Sequence, residues 1–203
     1  MRETESGGTP IHSEFTDEHV FQEYMEDLGL EPEDFKKKIL DVGAGSAQFA
    51  KWAKEHEVSD TIYSLEPEGE KLEERNKSVV AVAEAMPFAD ESFDIVVSHA
   101  AIPNMYIRDE GVETKTQDGL REMVRVLKYG GEVRFSRVLM SDLYRPERVL
   151  SNSIEEGLRN LEKEFNVTIE KIRMPRFDIY DTFGSVKSLE KKAYLIIIRK
   201  PNK

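Results

Sequence analysis

The chain has 203 residues, 39% of them hydrophobic and 34% charged, with a net charge of −11 and no cysteine. Its length suits one well-filled core, and its acidity disfavours a nucleic-acid substrate, whose phosphate backbone needs a cationic footprint. The missing cysteine excludes disulfides, thiolate nucleophiles and cysteine-bound zinc.

No run approaches the roughly 18 apolar residues that cross a bilayer, and the polar start MRETESGG lacks the apolar stretch of a signal peptide. The expectation is a cytoplasmic protein with no membrane insertion. His12, His19, His56 and His99 show no ligand spacing, so no metal is expected. Arg121, Arg125, Arg134, Arg137, Arg145 and Arg148 cluster in sequence and read first as solvated helix and strand faces.

Met1 to Pro10 reads as a loosely attached tail. Thr16 can cap a helix with Asp17 and Glu18 in its first turn, an apolar stripe of Val20, Phe21, Tyr24, Met25 and Leu28, and Gly29 as its stop. A strand follows at Lys38–Val42, then the turn Gly43-Ala44-Gly45 and a helix over Ser46–Ala53. Strand, glycine turn and helix bring backbone N–H groups and a helix N-terminus close to a ligand. A dinucleotide loop of G-x-G-x-x-G type would need glycine where Gln48 stands. The spacing that fits is acid-x-G-x-G-x-small, with Asp41, Gly43, Gly45 and Ala47.

The second strand, Thr61–Leu65, ends at Glu66, an acid placed to accept hydrogen bonds from both hydroxyls of a ribose. As a strand-end acid in an open site it is expected to support no core packing. Pro67 is predicted to open a helix. Strands are expected at Ser78–Val82, Phe93–Ser98 and Glu132–Val138, with Gly130-Gly131 turning the chain before the last of these. Leu120, Met123, Val124 and Leu127 make one helix face. Ser153 and Glu156 form a capping box for a helix carrying Ile154, Leu158, Leu161 and Phe165. Val167–Arg173 and the almost wholly apolar Ala193–Arg199 are further strands, the second reading as covered on both faces. Ile107–Thr116 and Arg176–Ser188 read as irregular, and Phe177, Tyr180 and Phe183 in the latter either line a pocket or anchor a loop.

Four segments in order carry a family resemblance. ILDVGAGSA (Ile39–Ala47) resembles motif I of the class I S-adenosylmethionine-dependent methyltransferases. Glu66 stands where that family binds ribose. AEAMPFADESFDIVVS (Ala83–Ser98) and LREMVRVLKYGGEVRFSRV (Leu120–Val138) resemble the signatures of its ubiquinone/menaquinone-biosynthesis-type branch. Together they cover about half of the chain.

The resemblance implies an α/β fold: a Rossmann-like, seven-stranded, mostly parallel sheet with helices on both faces and an antiparallel last strand inserted between strands five and six. It implies residues 1–37 as a tail and lid-like helix and 38–203 as the S-adenosylmethionine-binding domain, one compact unit overall. S-adenosyl-L-methionine would be the cofactor and S-adenosyl-L-homocysteine the product. Asp41, Gly43, Ala44, Gly45, Glu66, Pro67, Ala83, Glu84 and His99 would bind it. Val82 stands where the family has an adenine-binding Asp, and Pro103 and Asn104 where many relatives have a polar pair.

His99, just past the fourth strand, is the candidate catalytic base, with an unperturbed pKa near 6.5. It can alternatively contact the cofactor or fill space beneath it. Tyr24, Asn104 and Tyr106 are the substrate-pocket candidates. The leading expectation is methyl transfer to a small-molecule acceptor. The alternatives are a non-catalytic cofactor-binding regulator or partner subunit, and a protein or RNA methyltransferase. Acceptor and oligomeric state are not legible.

Overall fold

A computed structural model of the protein describes residues 16–72, 77–106, 111–140, 145–174 and 192–203. The N-terminal tail and the segment holding Phe177, Tyr180 and Phe183 lie outside the described residues.

Among the described residues four α-helices and seven strands follow in order: α1 Asp17–Leu28, β1 Ile39–Val42, α2 Gln48–Glu55, β2 Ile62–Glu66, β3 Ser78–Val80, β4 Phe93–His99, α3 Val112–Val126, β5 Leu127–Met140, α4 Arg145–Phe165, β6 Thr168–Arg173 and β7 Lys192–Arg199. One sheet contains all the strands, in the order β3-β2-β1-β4-β5-β7-β6. β1 to β5 pair in parallel, while β7 runs antiparallel between β5 and β6. The expected Rossmann-like architecture and inserted last strand are both present. Among the described residues no helix is long and apolar enough to cross a membrane.

Strand order reverses between β1 and β4, so a crevice opens at their carboxyl ends, the usual ligand position in such sheets. The alternation of strand side chains builds two cores. Leu40, Val42, Val96, Ile196 and Ile198 pack with Leu120, Met123 and Val124 of α3 and Leu158 and Leu161 of α4. Ile39, Ile95, Val97, Leu195 and Ile197 face the other way, onto Phe21, Tyr24 and Leu28 of α1 and Phe49 and Ala53 of α2. Asp41 follows Ile39 by two residues and therefore points to the α1 side.

Thr16 Oγ1 accepts the His19 N–H, and the helix ends at Gly29, as its sequence grammar predicts. Other boundaries differ. Pro67 is followed by a single 3₁₀ turn, Gly69–Lys71, where a helix was expected. α3 begins at Val112, so the second half of the stretch read as irregular is helical. α4 is already helical at Arg145, which puts Ser153 in its interior, buried, and not at a cap. Gly130 and Gly131 lie within β5, where the register against β4 jumps from Phe93↔Leu127 to Ile95↔Glu132.

Candidate functional site

β1 delivers the chain into a loop held by backbone and by one acid. The Gly43 and Ala44 N–H groups both donate to Leu65 O, at 2.8 and 3.1 Å. Gly43 has φ +78°, and a Cβ there would collide with the Ala101 methyl, so the loop touches the segment leaving β4. Gly45, at φ +55°, faces open space.

Glu66 ties this loop to β2. Its Oε2 accepts the Gly45 N–H at 2.9 Å and its Oε1 the Glu68 N–H at 3.2 Å. The side chain is only 4% exposed, which corrects the expectation of an open strand-end acid without structural duty. Pro67, half-buried, follows it.

Asp41 is fully buried, and the Tyr24 hydroxyl donates to its carboxyl group, 3.4 and 3.3 Å from Oδ1 and Oδ2. Burial pushes Asp41 up to about 8; the Tyr24 bond works against that rise and the charge of Glu66 adds to it, with no cation among the groups acting on it. Burial and the same carboxylate also hold the Tyr24 hydroxyl well above its ordinary range. The Tyr24 ring stacks on Phe49 at 4.4 Å and lies 4.6 Å from the His99 ring.

His99 closes β4 on the same side. Its Nε2 is 2.8 Å from Asp27 Oδ2 on α1. Arg137 of β5 reaches the same helix, donating through Nε to Asp27 and through Nη2 to Glu23 Oε1 at 2.7 Å. Burial alone would raise the Asp27 carboxyl, but the bonds from His99 and Arg137 outweigh it and hold Asp27 below the usual range. The aim of Arg137 has a backbone cause: β5 changes register between Phe135 and Val138, and Arg137 sits there at φ +55°. A bulge of this kind redirects a side chain, and a non-glycine residue in the left-handed region persists only where its surroundings hold it. Asn104 Nδ2 donates to Arg137 O at 2.7 Å.

The Ala83–Phe88 loop is held from below by α3. Glu122 Oε2 accepts the Met86 N–H at 2.9 Å. Arg125 donates to Met86 O at 3.1 Å, to Phe88 O at 2.8 Å and to both Glu122 oxygens. Ala83 is buried, Glu84 half-buried, and Val82 exposed at the loop's start.

Asp41, Tyr24, His99 and, through Arg137, Asn104 thus meet under α1. Gly43, Ala44, Gly45, Glu66 and Pro67 form the adjoining rim. Tyr106 lies in the opposite core, its hydroxyl over Gly119 of α3. The arginine reading needs correction: Arg125, Arg134 and Arg137 are engaged, Arg134 reaching Gly29 O at 2.8 Å and Asp34 at 3.0 Å. Glu122, Arg125, Asp27 and Arg137 were not singled out as site residues. The only available signal was the i, i+3 spacing of Glu122 and Arg125 within REMVRVL.

Residues 40–135 match the family described as a methyltransferase domain. A ubiquinone/menaquinone biosynthesis C-methyltransferase, UbiE, from Stenotrophomonas maltophilia is 43% identical over 67 residues, covering 32% of this chain and 23% of that protein. Its namesake from Dinoroseobacter shibae is 29% identical over 169 residues, covering 74% and 64%. This chain therefore spans less than two thirds of either relative. The fold matches a chain from the Haloferax volcanii complex of the Trm112 methyltransferase activator with a methyltransferase, at a TM-score of 0.61 and 16% identity, over 92% of this chain and 93% of that one. The match over residues 40–135 supports a class I S-adenosylmethionine-dependent methyltransferase.

The donor set of this chain fits S-adenosylmethionine, the cofactor of class I methyltransferases. Two carboxylates, Asp41 and Glu66, end β1 and β2 at a loop whose Gly45 faces open space. The acid of Glu66 beside this loop suits the ammonium and sulfonium groups of S-adenosylmethionine better than the pyrophosphate of a dinucleotide, and Asp41, which holds its proton to about pH 8, ionises where a neighbouring cation stabilises its charge. Glu66 spends one lone pair of each oxygen on the loop, which leaves further acceptor capacity on both.

Proposed function

We propose that this chain transfers a methyl group from S-adenosylmethionine to a small-molecule acceptor. The observation that carries the reading is the Asp41–Glu66 pair beside the open Gly45, an acid-lined cup with no cation acting on its buried acid. The cofactor supplies a methyl on a sulfonium that is already a good leaving group.

The chain's own residues supply geometry. Gly43, Ala44 and Gly45 let a ligand approach the main chain, Glu66 orients the ribose, and Ala83 and Glu84, on a loop fixed by Arg125, frame the adenine. Asp41 gives up its raised-pKa proton beside the cationic end and then balances that charge. Holding nucleophile, methyl carbon and sulfur in line at about 3–3.5 Å supplies much of the rate. Tyr24 and the rest of α1 exclude water, and His99 accepts the acceptor's proton where the nucleophile is a weak acid. The enclosure under α1 and the net charge of −11 favour a small acceptor over nucleic acid.

Calorimetric titration with S-adenosylhomocysteine and with NAD tests the reading. Saturable binding of the first and none of the second is expected. Tight NAD binding without a response to S-adenosylhomocysteine would overturn it.

A further inference from the structure

His99 belongs to β4, yet the group that fixes its ring belongs to α1, far away in sequence. Asp27 Oδ2 lies 2.8 Å from His99 Nε2, and the His99 side chain is only 8% exposed. The bonds of His99 and Arg137 keep the Asp27 carboxyl ionised. An ionised carboxylate only accepts hydrogen bonds, so Nε2 must carry the proton of this contact. The other ring nitrogen, Nδ1, bonds to no described residue. Tyr24 covers the imidazole from the side, and Ser136, its register partner on β5, is fully buried with its hydroxyl unpartnered among the described residues.

We propose that Asp27 is a positioning residue for His99: it accepts the hydrogen bond of the Nε2–H of the neutral imidazole, keeping the proton on Nε2 and leaving Nδ1 as the bare, basic atom at the end of β4. The inference rests on the methyl-transfer reading above, in which His99 is the proton acceptor. It gives α1 a part in the chemistry beyond covering the site, because the helix carries the group that selects the tautomer. Arg137 completes the arrangement by holding Asp27, and Glu23 shares Arg137 without touching His99. That division of labour makes the idea testable. Glu23 reports on fastening alone, whereas Asp27 reports on fastening and on the ring.

The experiment is a ¹H–¹⁵N spectrum of the imidazoles in the full ¹⁵N-labelled chain at pH 8, with His99 assigned by loss of its signals in His99→Gln. The parent should show a slowly exchanging proton on Nε2 and an unprotonated Nδ1. Asp27→Ala should abolish that protected proton, and Glu23→Ala should retain it. Asp27→Asn, which preserves shape, should weaken its protection if the alanine variant does not fold. A protected proton that survives both Asp27 variants, or is lost equally in Glu23→Ala, would overturn the assignment and leave Asp27 as a fastener of α1.

S-adenosylhomocysteine added to the same parent sample separates the two claims. Shifted Gly43 and Gly45 amides together with a shifted His99 Nδ1 support both. Unmoved glycine amides would overturn the cofactor reading, whatever Asp27 does. Moved glycines with an unmoved Nδ1 would overturn the placing of His99 beside the transferred group.

Discussion

The Tyr24 hydroxyl sits 3.3 Å from Asp41 Oδ2, so the N-terminal helix rests directly on the acid of the glycine loop. Asp41 is fully buried, and its nearest charged influence is another acid, Glu66. Neutral Tyr24 satisfies a lone pair but cannot offset a charge. Asp41 therefore keeps its proton to about pH 8 in the folded chain, whereas an unfolded aspartate loses it near pH 3.9.

The sign of the linkage follows. Between about pH 4 and pH 8 the folded state binds the proton that the unfolded state has released, so this group's contribution to stability is full below about pH 4 and declines as pH rises through that window. Each tenfold difference in proton affinity is worth about 1.4 kcal/mol, and local relaxation keeps the realised sum to a few such steps. Asp41→Asn retains an acceptor for Tyr24 and removes the titration. Urea unfolding at pH 5, 7 and 9 should show the variant gaining on the parent as pH rises, while its affinity for S-adenosylhomocysteine falls. Parallel pH profiles for the two proteins would contradict the account.

Glu66 holds the glycine loop, and the proposed function gives it the ribose as well. Glu66→Ala leaves the half-buried Gly45 N–H and the exposed Glu68 N–H without this acceptor, and because water can replace it, stability should fall by only about 1 kcal/mol. S-adenosylhomocysteine affinity should drop by about 1.5–3 kcal/mol, the range for hydrogen bonds to a charged group. Denaturant curves and calorimetry on the same preparation read the two losses separately. Unchanged affinity would remove Glu66 from the ribose site.

The helix α1 is core as well as cover. Phe21, Tyr24 and Leu28 are buried against Ile39, Ile95 and Val97, and Phe21 stacks on Trp52 with ring centroids 4.2 Å apart. A chain lacking residues 1–29 exposes one face of the sheet and should lose cooperative unfolding by circular dichroism. Phe21→Ala should cost about 3–5 kcal/mol, as for other large-to-small changes in a packed core. A truncated chain that melts like the parent would show that this face needs no cover.

Much of this architecture is legible from periodicity. Ile39, Leu40 and Val42, and the run from Leu195 to Ile198, announce strands covered on both faces, and Thr16 and Gly29 announce the ends of α1. The early turns of α3 and α4 escape notice because VETKTQDG and RPERVLSNS carry polar residues where a stripe would reveal a helix. In α4 the Ser153–Glu156 spacing imitates a cap although Ser153 is buried in mid-helix. The loop from Asp41 to Glu66 is local in sequence, so its glycines and its two acids could be picked out as neighbours. The Asp27–His99–Arg137 cluster unites α1, β4 and β5, and no spacing rule spans such distances. Arg125 was visible but misread, because a charge on a helix usually faces water.

Arg125 gives the last prediction. Its guanidinium donates to Met86 O, Phe88 O, Asp90 and Glu122, and Glu122 in turn accepts the Met86 N–H. The bond that Arg125 donates to Glu122, and with it the bond to Asp90, raises the Arg125 pKa above its already high value, so the clamp is charged at every accessible pH. A planar fork reaches two carbonyls and two carboxylates at once, while a lysine ammonium is a point charge on a flexible stem. Arg125→Lys should therefore loosen the Ala83–Phe88 loop, costing about 1–3 kcal/mol of stability and speeding amide exchange at Met86. S-adenosylhomocysteine affinity should fall several-fold, because the adenine frame is no longer fixed. Arg121→Lys is the control, since Arg121 is more exposed and bonds only Asp118 and Glu164 among the described residues. Equal effects of the two substitutions would reduce Arg125 to an ordinary surface charge. A loss confined to Arg125→Lys would make the LREMVRVL helix the support on which the AEAMPF loop depends.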